Sequence, residues 1–196
     1  MKRTFDILAS FFGLIVLIPL LVVLAILIKI RMPGKVFFCQ SRMGRHGKLF
    51  TIIKFRTMVE AHKGNTISVK GENRITALGA ILRKYKLDEL PELWNVLRGD
   101  MSFVGPRPDM PEYFQRLEGE ERKILELRPG ITGPASLKYA SEEELLATVP
   151  DPRKYNDEVI WPDKVKINLE YYYNRSFILD LRIILKTVFD RNNANS

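Results

Sequence analysis

From Ile7 to Ile28 the chain carries no charged residue, and only Ala9, Ser10, Gly13, Pro19 and Ala25 interrupt a run of Leu, Ile, Val and Phe. An apolar stretch longer than about 18 residues reads as a membrane helix rather than a core helix. At roughly −0.3 to −0.6 kcal/mol per large apolar residue, insertion is favoured by several kcal/mol. A cleavable signal has an apolar region of only about 7–15 residues closed by small residues. This run is longer and ends in Lys29-Ile30-Arg31, which argues against cleavage. Lys2 and Arg3 precede it while Lys29, Arg31 and Lys35 follow, so the positive charge that marks the cytoplasmic side flanks both ends. Pro19 lies near the middle, where a proline removes a backbone hydrogen bond and kinks a helix. The pattern fits a bent helix that returns to the face it entered. It fits equally a straight anchor with a tolerated proline.

After Met32-Pro33-Gly34, a turn, the patterning becomes that of an ordinary water-soluble domain. Val36–Ser41 and Leu49–Phe55 are β-prone runs separated by the basic, glycine-bearing Arg42-Met43-Gly44-Arg45-His46-Gly47, which predicts a hairpin. Glu60–Asn73 is polar and reads as a loop. Thr76–Tyr85 and Glu89–Leu97 read as helices, with Asp88 placed to cap the second. Gly99–Pro108 reads as a structured loop, Met110–Leu127 as a charged amphipathic helix and Arg128–Pro134 as another loop. Helices follow at Ser141–Ala147 and Asp163–Asn174. Over Phe177–Phe189, Ile178, Leu181, Leu185, Val188 and Phe189 recur at helical spacing, with Asp180, Arg182 and Lys186 between them. This is either a core-facing helix or one lying in a membrane interface, with Lys186 and Arg191 near lipid phosphates. The organisation predicted is a membrane helix over 1–35 and one domain over 36–196.

Composition narrows the function classes. With 31 Lys and Arg against 23 Asp and Glu the net charge is +8, which calls for an anionic partner: nucleic acid, an acidic membrane surface or a phosphorylated substrate. Hydrophobic residues at 46% exclude wholesale disorder. The single cysteine, Cys39, excludes an internal disulfide framework and a cysteine-based zinc cluster. Two histidines, His46 and His62, both in predicted loops, argue against a hydrolytic triad. Neither Gly-x-x-x-x-Gly-Lys nor Gly-x-Gly-x-x-Gly occurs, so bound phosphate must meet side-chain cations, ordinary helix ends or a metal.

The densest chemistry lies in Leu82-Arg83-Lys84-Tyr85-Lys86-Leu87-Asp88-Glu89-Leu90-Pro91. Nearby cations keep Asp88 ionised, and thus competent as nucleophile or metal ligand. The same residues also describe an ordinary helix start, with Asp at the N-cap and Pro in the first turn. Three further elements tilt the balance. Lys54-Phe55-Arg56-Thr57-Met58 puts two cations on one strand face. Asp100-Met101-Ser102-Phe103-Val104-Gly105-Pro106-Arg107-Pro108 clamps a guanidinium between prolines. Arg128-Pro129-Gly130-Ile131-Thr132-Gly133 sets another arginine beside a proline. Together they bring cations from four places, as a diphosphate site requires.

These motifs, in this order, resemble the bacterial sugar transferase family, the monotopic phosphoglycosyl transferases, over essentially the whole chain, in a length like that of its small form. The resemblance implies a mainly helical α+β monotopic membrane protein, with a re-entrant helix broken at Pro19, a small β-hairpin or sheet and amphipathic interfacial helices. It implies residence on the cytoplasmic face of the inner membrane, in contact with membrane lipid. The implied reaction moves a sugar-1-phosphate from a UDP-sugar to a polyprenyl phosphate such as undecaprenyl phosphate, with Mg²⁺ and release of UMP. That step opens glycoconjugate or polysaccharide assembly, which downstream glycosyltransferases continue. Asp88 is then the nucleophile, carrying a covalent phospho-sugar and also serving as metal ligand, and Glu89 its partner. Lys54, Arg83, Arg107 and Arg128 are the implied substrate-binding residues. The competing reading of the charge is a membrane-anchored basic nucleic-acid-binding module; the family reading involves no nucleic acid. Two departures stand out. Ile18 precedes Pro19 where many members carry serine. After Gly133 the chain reads Pro134-Ala135-Ser136-Leu137-Lys138-Tyr139 instead of Trp-Ala-Gln and then Asn-Gly-Arg, so the stretch 134–162 diverges and the sugar is not named by the sequence.

Overall fold

The computed structural model describes residues 1–59 and 74–193, with side chains through Phe189. The predicted loop 60–73 with His62, and the side chain of Arg191, lie outside the described residues. The apolar run forms α1 (Lys2–Arg31), whose helical backbone continues through Pro19. At 1.5 Å per residue it is about 45 Å long. Its middle is uncovered by protein, with Phe12 59% and Val16 75% exposed. Side chains this apolar and this bare call for a non-aqueous surround.

Both ends of α1 are docked on the rest of the chain. Near the start, Lys2 Nζ donates to the Val104 carbonyl at 2.8 Å and pairs with Asp180 at 2.8 Å. Arg3 donates to the Val96 and Leu97 carbonyls, and Asp6 accepts the Phe103 N–H. Toward the other end, Leu24, Ile28 and Met32 form a buried cluster with Phe55 and Leu82.

The predicted hairpin is present. β1 (Phe37–Met43) pairs antiparallel with β2 (Leu49–Phe55), from Phe37 opposite Phe55 to Met43 opposite Leu49. α2 (Ala77–Lys84) begins at Thr76, whose hydroxyl accepts the Gly79 N–H at 2.9 Å. A 3₁₀ turn, Leu87–Glu89, leads into α3 (Glu92–Arg98).

Two sequence expectations are corrected beyond this point. The loops at Gly99–Pro108 and Arg128–Pro134 contain short strands, β3 (Ser102–Val104) and β4 (Gly130–Thr132), paired in parallel. A Cβ on Gly130 would sit 2.1 Å from the Gly105 nitrogen, so bare backbone permits this approach. Met110–Leu127 is not one helix. α4 (Pro111–Gln115) is followed by a separate 3₁₀ segment, Gly119–Glu126, because Gly119 turns left-handed at φ 49° and Glu118 and Glu121 cap a new start. The break lets Phe114, Leu117 and Ile124 all reach one cluster with Val165.

The divergent stretch carries α5 (Pro134–Lys138), α6 (Glu142–Ala147) and α7 (Pro152–Tyr155). A π-helical segment, Asn156–Ile160, runs from α7 into α8 (Trp161–Asn174), and α9 (Phe177–Asn193) ends the described chain. On α9, Ile183 is buried while Ile178, Leu185, Val188 and Phe189 are exposed, so this helix has both a core face and a bare apolar face. The architecture is thus a mainly helical α+β body with two small sheets and one long apolar helix.

Candidate active site

The chain at the end of α2 is forced into an uncommon shape. Lys86 takes a left-handed conformation, φ 53°, which costs a non-glycine residue roughly 1–2 kcal/mol. The tight turn that follows buries Leu87 and Leu90 against the Phe55, Leu82 and Ile28 cluster. Between those two apolar anchors, Asp88 and Glu89 are held at 8% and 9% exposure. Asp88 does not cap α3: the cap position is Pro91, with no side-chain cap, so the ordinary helix-start reading of these residues is corrected.

Glu89 is the hub of the site. Its Oε1 accepts from Lys54 Nζ at 2.9 Å and from Arg107 Nη2 at 2.8 Å. Lys54 comes from β2 and Arg107 from the proline-bounded loop after β3. Lys54 Nζ also lies 3.0 Å from Glu92 Oε1 on the first turn of α3. Burial alone would raise the pKa of Glu89, but Arg107, Lys54 and Lys86 together hold it well below the ordinary carboxylate range. Glu92 behaves oppositely. Burial lifts it to about 7, Lys54 opposes the rise and neighbouring Glu89 adds to it. The buried trio therefore holds Glu89 ionised with its two cations, while Glu92 titrates near neutrality.

Asp88 differs from both. Its Oδ1 is buried with no hydrogen-bond partner. Burial raises its pKa, Glu89 adds to the rise, and Lys54, Lys86 and Arg83 oppose it. An unpartnered buried carboxylate oxygen is costly in an empty site and is satisfied by a ligand or a cation.

Of the cations expected here, Lys54 and Arg107 meet the dyad directly. Arg83 is bonded instead to Glu143 of α6, though its charge is felt at Asp88. Arg128 lies elsewhere. Its Nε donates to the Gly99 carbonyl at 3.0 Å, and its charged neighbours are Arg45, Arg3 and Asp6. That is the far end of α3, about 10 Å of helix from the dyad. The two cations expected on one strand face also divide: Lys54 serves the carboxylates, whereas buried Arg56 donates to the Pro33 and Met32 carbonyls at the end of α1. Exposed His46 sits in the hairpin turn, away from these contacts.

Two residues escaped the sequence reading. Glu92 follows Glu89 by three positions, a spacing that puts both on one helical side, and that signal was readable. Glu143 carried none, because the α6 contact arises from tertiary structure; Lys86, one of the cations expected beside Asp88, acts there as read, but its left-handed backbone was not legible. Among the described residues no cluster of three or more His, Cys, Asp or Glu could hold a metal. Magnesium does not require one. It keeps several waters and binds through one or two carboxylates plus substrate phosphates, and the bare Asp88 Oδ1 suits such a hard cation.

The arrangement can present one free carboxylate oxygen to an electrophile while cations neutralise adjoining negative charge, as attack on a phosphoryl group needs. Comparison with known proteins points the same way. A family model described as bacterial sugar transferase matches residues 1–192. An uncharacterized sugar transferase, EpsL of Bacillus subtilis, is 35% identical over 96% of this chain and 85% of its own length. A UDP-glucose:undecaprenyl-phosphate glucose-1-phosphate transferase of Caulobacter vibrioides is 36% identical over 95% of this chain and 68% of its own. A UDP-N-acetylgalactosamine-undecaprenyl-phosphate N-acetylgalactosaminephosphotransferase of Aeromonas hydrophila is 35% identical over 95% of this chain, which spans 42% of that longer protein.

Proposed function

The chain belongs to the bacterial sugar transferase family and is an enzyme, and on that premise we propose that it transfers a sugar-1-phosphate from a UDP-sugar to a polyprenyl phosphate, undecaprenyl phosphate by analogy with its relatives, through a phospho-sugar held on Asp88. The observation that carries this reading is the buried Asp88 Oδ1 without a partner, beside a Glu89 whose own charge is already taken up by Lys54 and Arg107. Of two adjacent carboxylates, one is engaged and one is available.

In the first half-reaction an Asp88 oxygen bonds to the sugar-bearing phosphorus, and the bond from that phosphorus to the bridging oxygen breaks, so UMP leaves with the bond electrons. In the second, an oxygen of the polyprenyl phosphate bonds to the same phosphorus. The acyl phosphate then breaks and returns Asp88 as a carboxylate. Glu89 fixes Lys54 and Arg107, whose charges offset the phosphoryl oxygens during both displacements. Mg²⁺, held by Asp88 and the diphosphate oxygens, would supply further neutralisation of phosphoryl charge.

The bare apolar middle of α1, with both its ends fastened to one body, supports a helix that dips into the bilayer and returns to the cytoplasmic face of the inner membrane. A single span with the domain attached at one end leaves the Lys2–Asp180 and Asp6–Phe103 contacts unexplained. The relatives named above act on different sugars, so the donor is identified by assay. The nucleic-acid reading of the +8 charge finds no support in the family match or in the relatives named above.

Detergent-solubilised protein with undecaprenyl phosphate and Mg²⁺ should release UMP from at least one member of a UDP-sugar panel that includes UDP-glucose and UDP-N-acetylgalactosamine. Asp88→Asn should abolish that release and the acid-labile phospho-sugar adduct formed with donor alone. Undiminished turnover in Asp88→Asn, or an adduct on another residue, rejects the assignment.

A further inference from the structure

Among the cations around Asp88, Arg83 is the one whose carboxylate partner comes from outside the dyad and α3. Its Nη2 donates to Glu143 Oε1, and among the described residues its Nε and Nη1 have no partner. The Arg83 side chain is 19% exposed and that of Glu143 40%, so the pair sits at the rim of the site rather than in open water. Glu143 also acts on Lys86, two residues before Asp88.

The helix that carries Glu143 is firmly set. Adjacent Glu142 accepts from Lys164 Nζ of α8 with both oxygens, at 2.8 and 2.7 Å. Lys164 is only 7% exposed, and Leu146 on the same short helix is 2% exposed. α6 is thus pinned to α8 on one side and reaches Arg83 on the other. The carboxylate end of each grip, Glu142 and Glu143, lies in the divergent stretch 134–162.

We infer that Glu143 is a positioning residue for the donor diphosphate: it fixes one corner of the Arg83 guanidinium and leaves the remaining N–H groups to the phosphate oxygens. A guanidinium matches phosphate through paired N–H groups, and an arginine already ordered before binding loses less side-chain freedom when the ligand arrives. The inference rests on the sugar-1-phosphate transfer proposed above and on the substrate-binding role that the family resemblance implies for Arg83. It opposes the simplest electrostatic expectation, since removing a carboxylate from a site for anions should by charge alone tighten binding.

Titration with UDP in detergent and Mg²⁺ separates the possibilities without knowledge of the sugar. Arg83→Ala should weaken UDP binding at least tenfold. Glu143→Ala should weaken it about fivefold, the scale of one half-exposed charge pair, and Glu143→Gln less, because the amide oxygen still accepts from Arg83. The Arg83→Ala/Glu143→Ala double variant should bind no worse than Arg83→Ala. In turnover, the donor KM should rise more than kcat falls. Melting curves identify any variant that fails to fold, and Glu143→Gln then carries the comparison. Unchanged binding in Arg83→Ala overturns the donor-ligand reading of that residue and this inference with it. Weakened binding in Arg83→Ala, with unchanged or tighter binding in Glu143→Ala, overturns the inference alone, as does a double variant in which the two losses add.

Discussion

Replacing Glu92 by glutamine should change stability little at low pH and raise it at high pH. Glu92 is 2% exposed, and burial lifts its pKa from 4.5 to about 7 against the pull of Lys54. A difference of that size corresponds to roughly 3 kcal/mol between the protonated and ionised forms in the folded protein. Because the folded value is the higher one, the associated stability is fully present below pH 4.5 and is lost as pH rises through 7. The substituted amide cannot ionise and stays neutral at every pH. The melting temperature of Glu92→Gln minus that of the parent protein should therefore grow from pH 5 to about pH 8 and level off above it, by on the order of 5–10 °C for a chain of this size. Glu89 titrates with the opposite sign. Its lowered pKa gives stability that is present above pH 4.5 and lost as pH falls through the lowered value. Above pH 5 Glu89 is ionised throughout in both proteins, so it does not set the trend of the difference. Trp94 and Trp161 report unfolding in detergent micelles by intrinsic fluorescence. A difference that stays level or declines with rising pH refutes the electrostatic account of Glu92.

Lys54→Met leaves Glu89 with Arg107 as its one side-chain donor among the described residues, and Glu92 without its cation. UMP release should drop by about 100-fold or more, and stability at pH 8 should fall by roughly 3 kcal/mol, with a smaller loss at pH 5 where Glu92 is protonated; equal losses at both pH values count against the coupling. With exposed Cys39 first changed to serine, cysteines introduced at Thr4 and Arg122 should both react with a membrane-impermeant maleimide in inverted membrane vesicles and in neither case in intact spheroplasts. Labelling of the two positions from opposite sides refutes a returning helix.

The long apolar run, the hairpin and the Asp88–Glu89 pair were legible because each is written in local chemistry: continuous hydrophobicity, β-prone runs around a glycine-bearing connector, adjacent charges. Parallel pairing of β3 with β4 was not. Each strand is three residues long, and what brings them together is the absence of side chains. A Cβ on Gly105 would lie 2.2 Å from the Arg128 carbonyl oxygen, and one on Gly133 2.2 Å from that of Gly105. Such packing has no hydrophobic period to detect. The break at Gly119 was hidden differently, since an amphipathic pattern continues across it and only the left-handed backbone shows that the helix restarts. At the site, the motifs grouped Lys54, Arg83, Arg107 and Arg128 as substrate-binding cations, of which Lys54 and Arg107 meet Glu89 in the fold. They placed Arg128 with the same group, although proline and glycine spacing cannot say which end of α3 an arginine will reach.

The turn that carries the dyad has two faces, and their opposition explains why the proposed nucleophile and its partner occupy this part of the chain. Leu87 and Leu90 pack into the cluster built by Leu24, Ile28 and Met32, so the turn rests directly on the end of the apolar helix. Asp88 and Glu89, between those leucines, meet cations delivered by β2 and by the loop after β3. Arg56 fastens the same junction from the other side by donating to the Pro33 and Met32 carbonyls. The proposed reaction of a water-soluble nucleotide diphosphate and then a lipid-linked phosphate at one carboxylate needs polar groups and a membrane element side by side. Leu87 and Leu90 supply the apolar face of that junction here, and Asp88 and Glu89 the polar one. The strained Lys86 that begins the turn follows from the same demand: a relaxed helical continuation of α2 would turn Asp88 and Glu89 away from one side or the leucines away from the other.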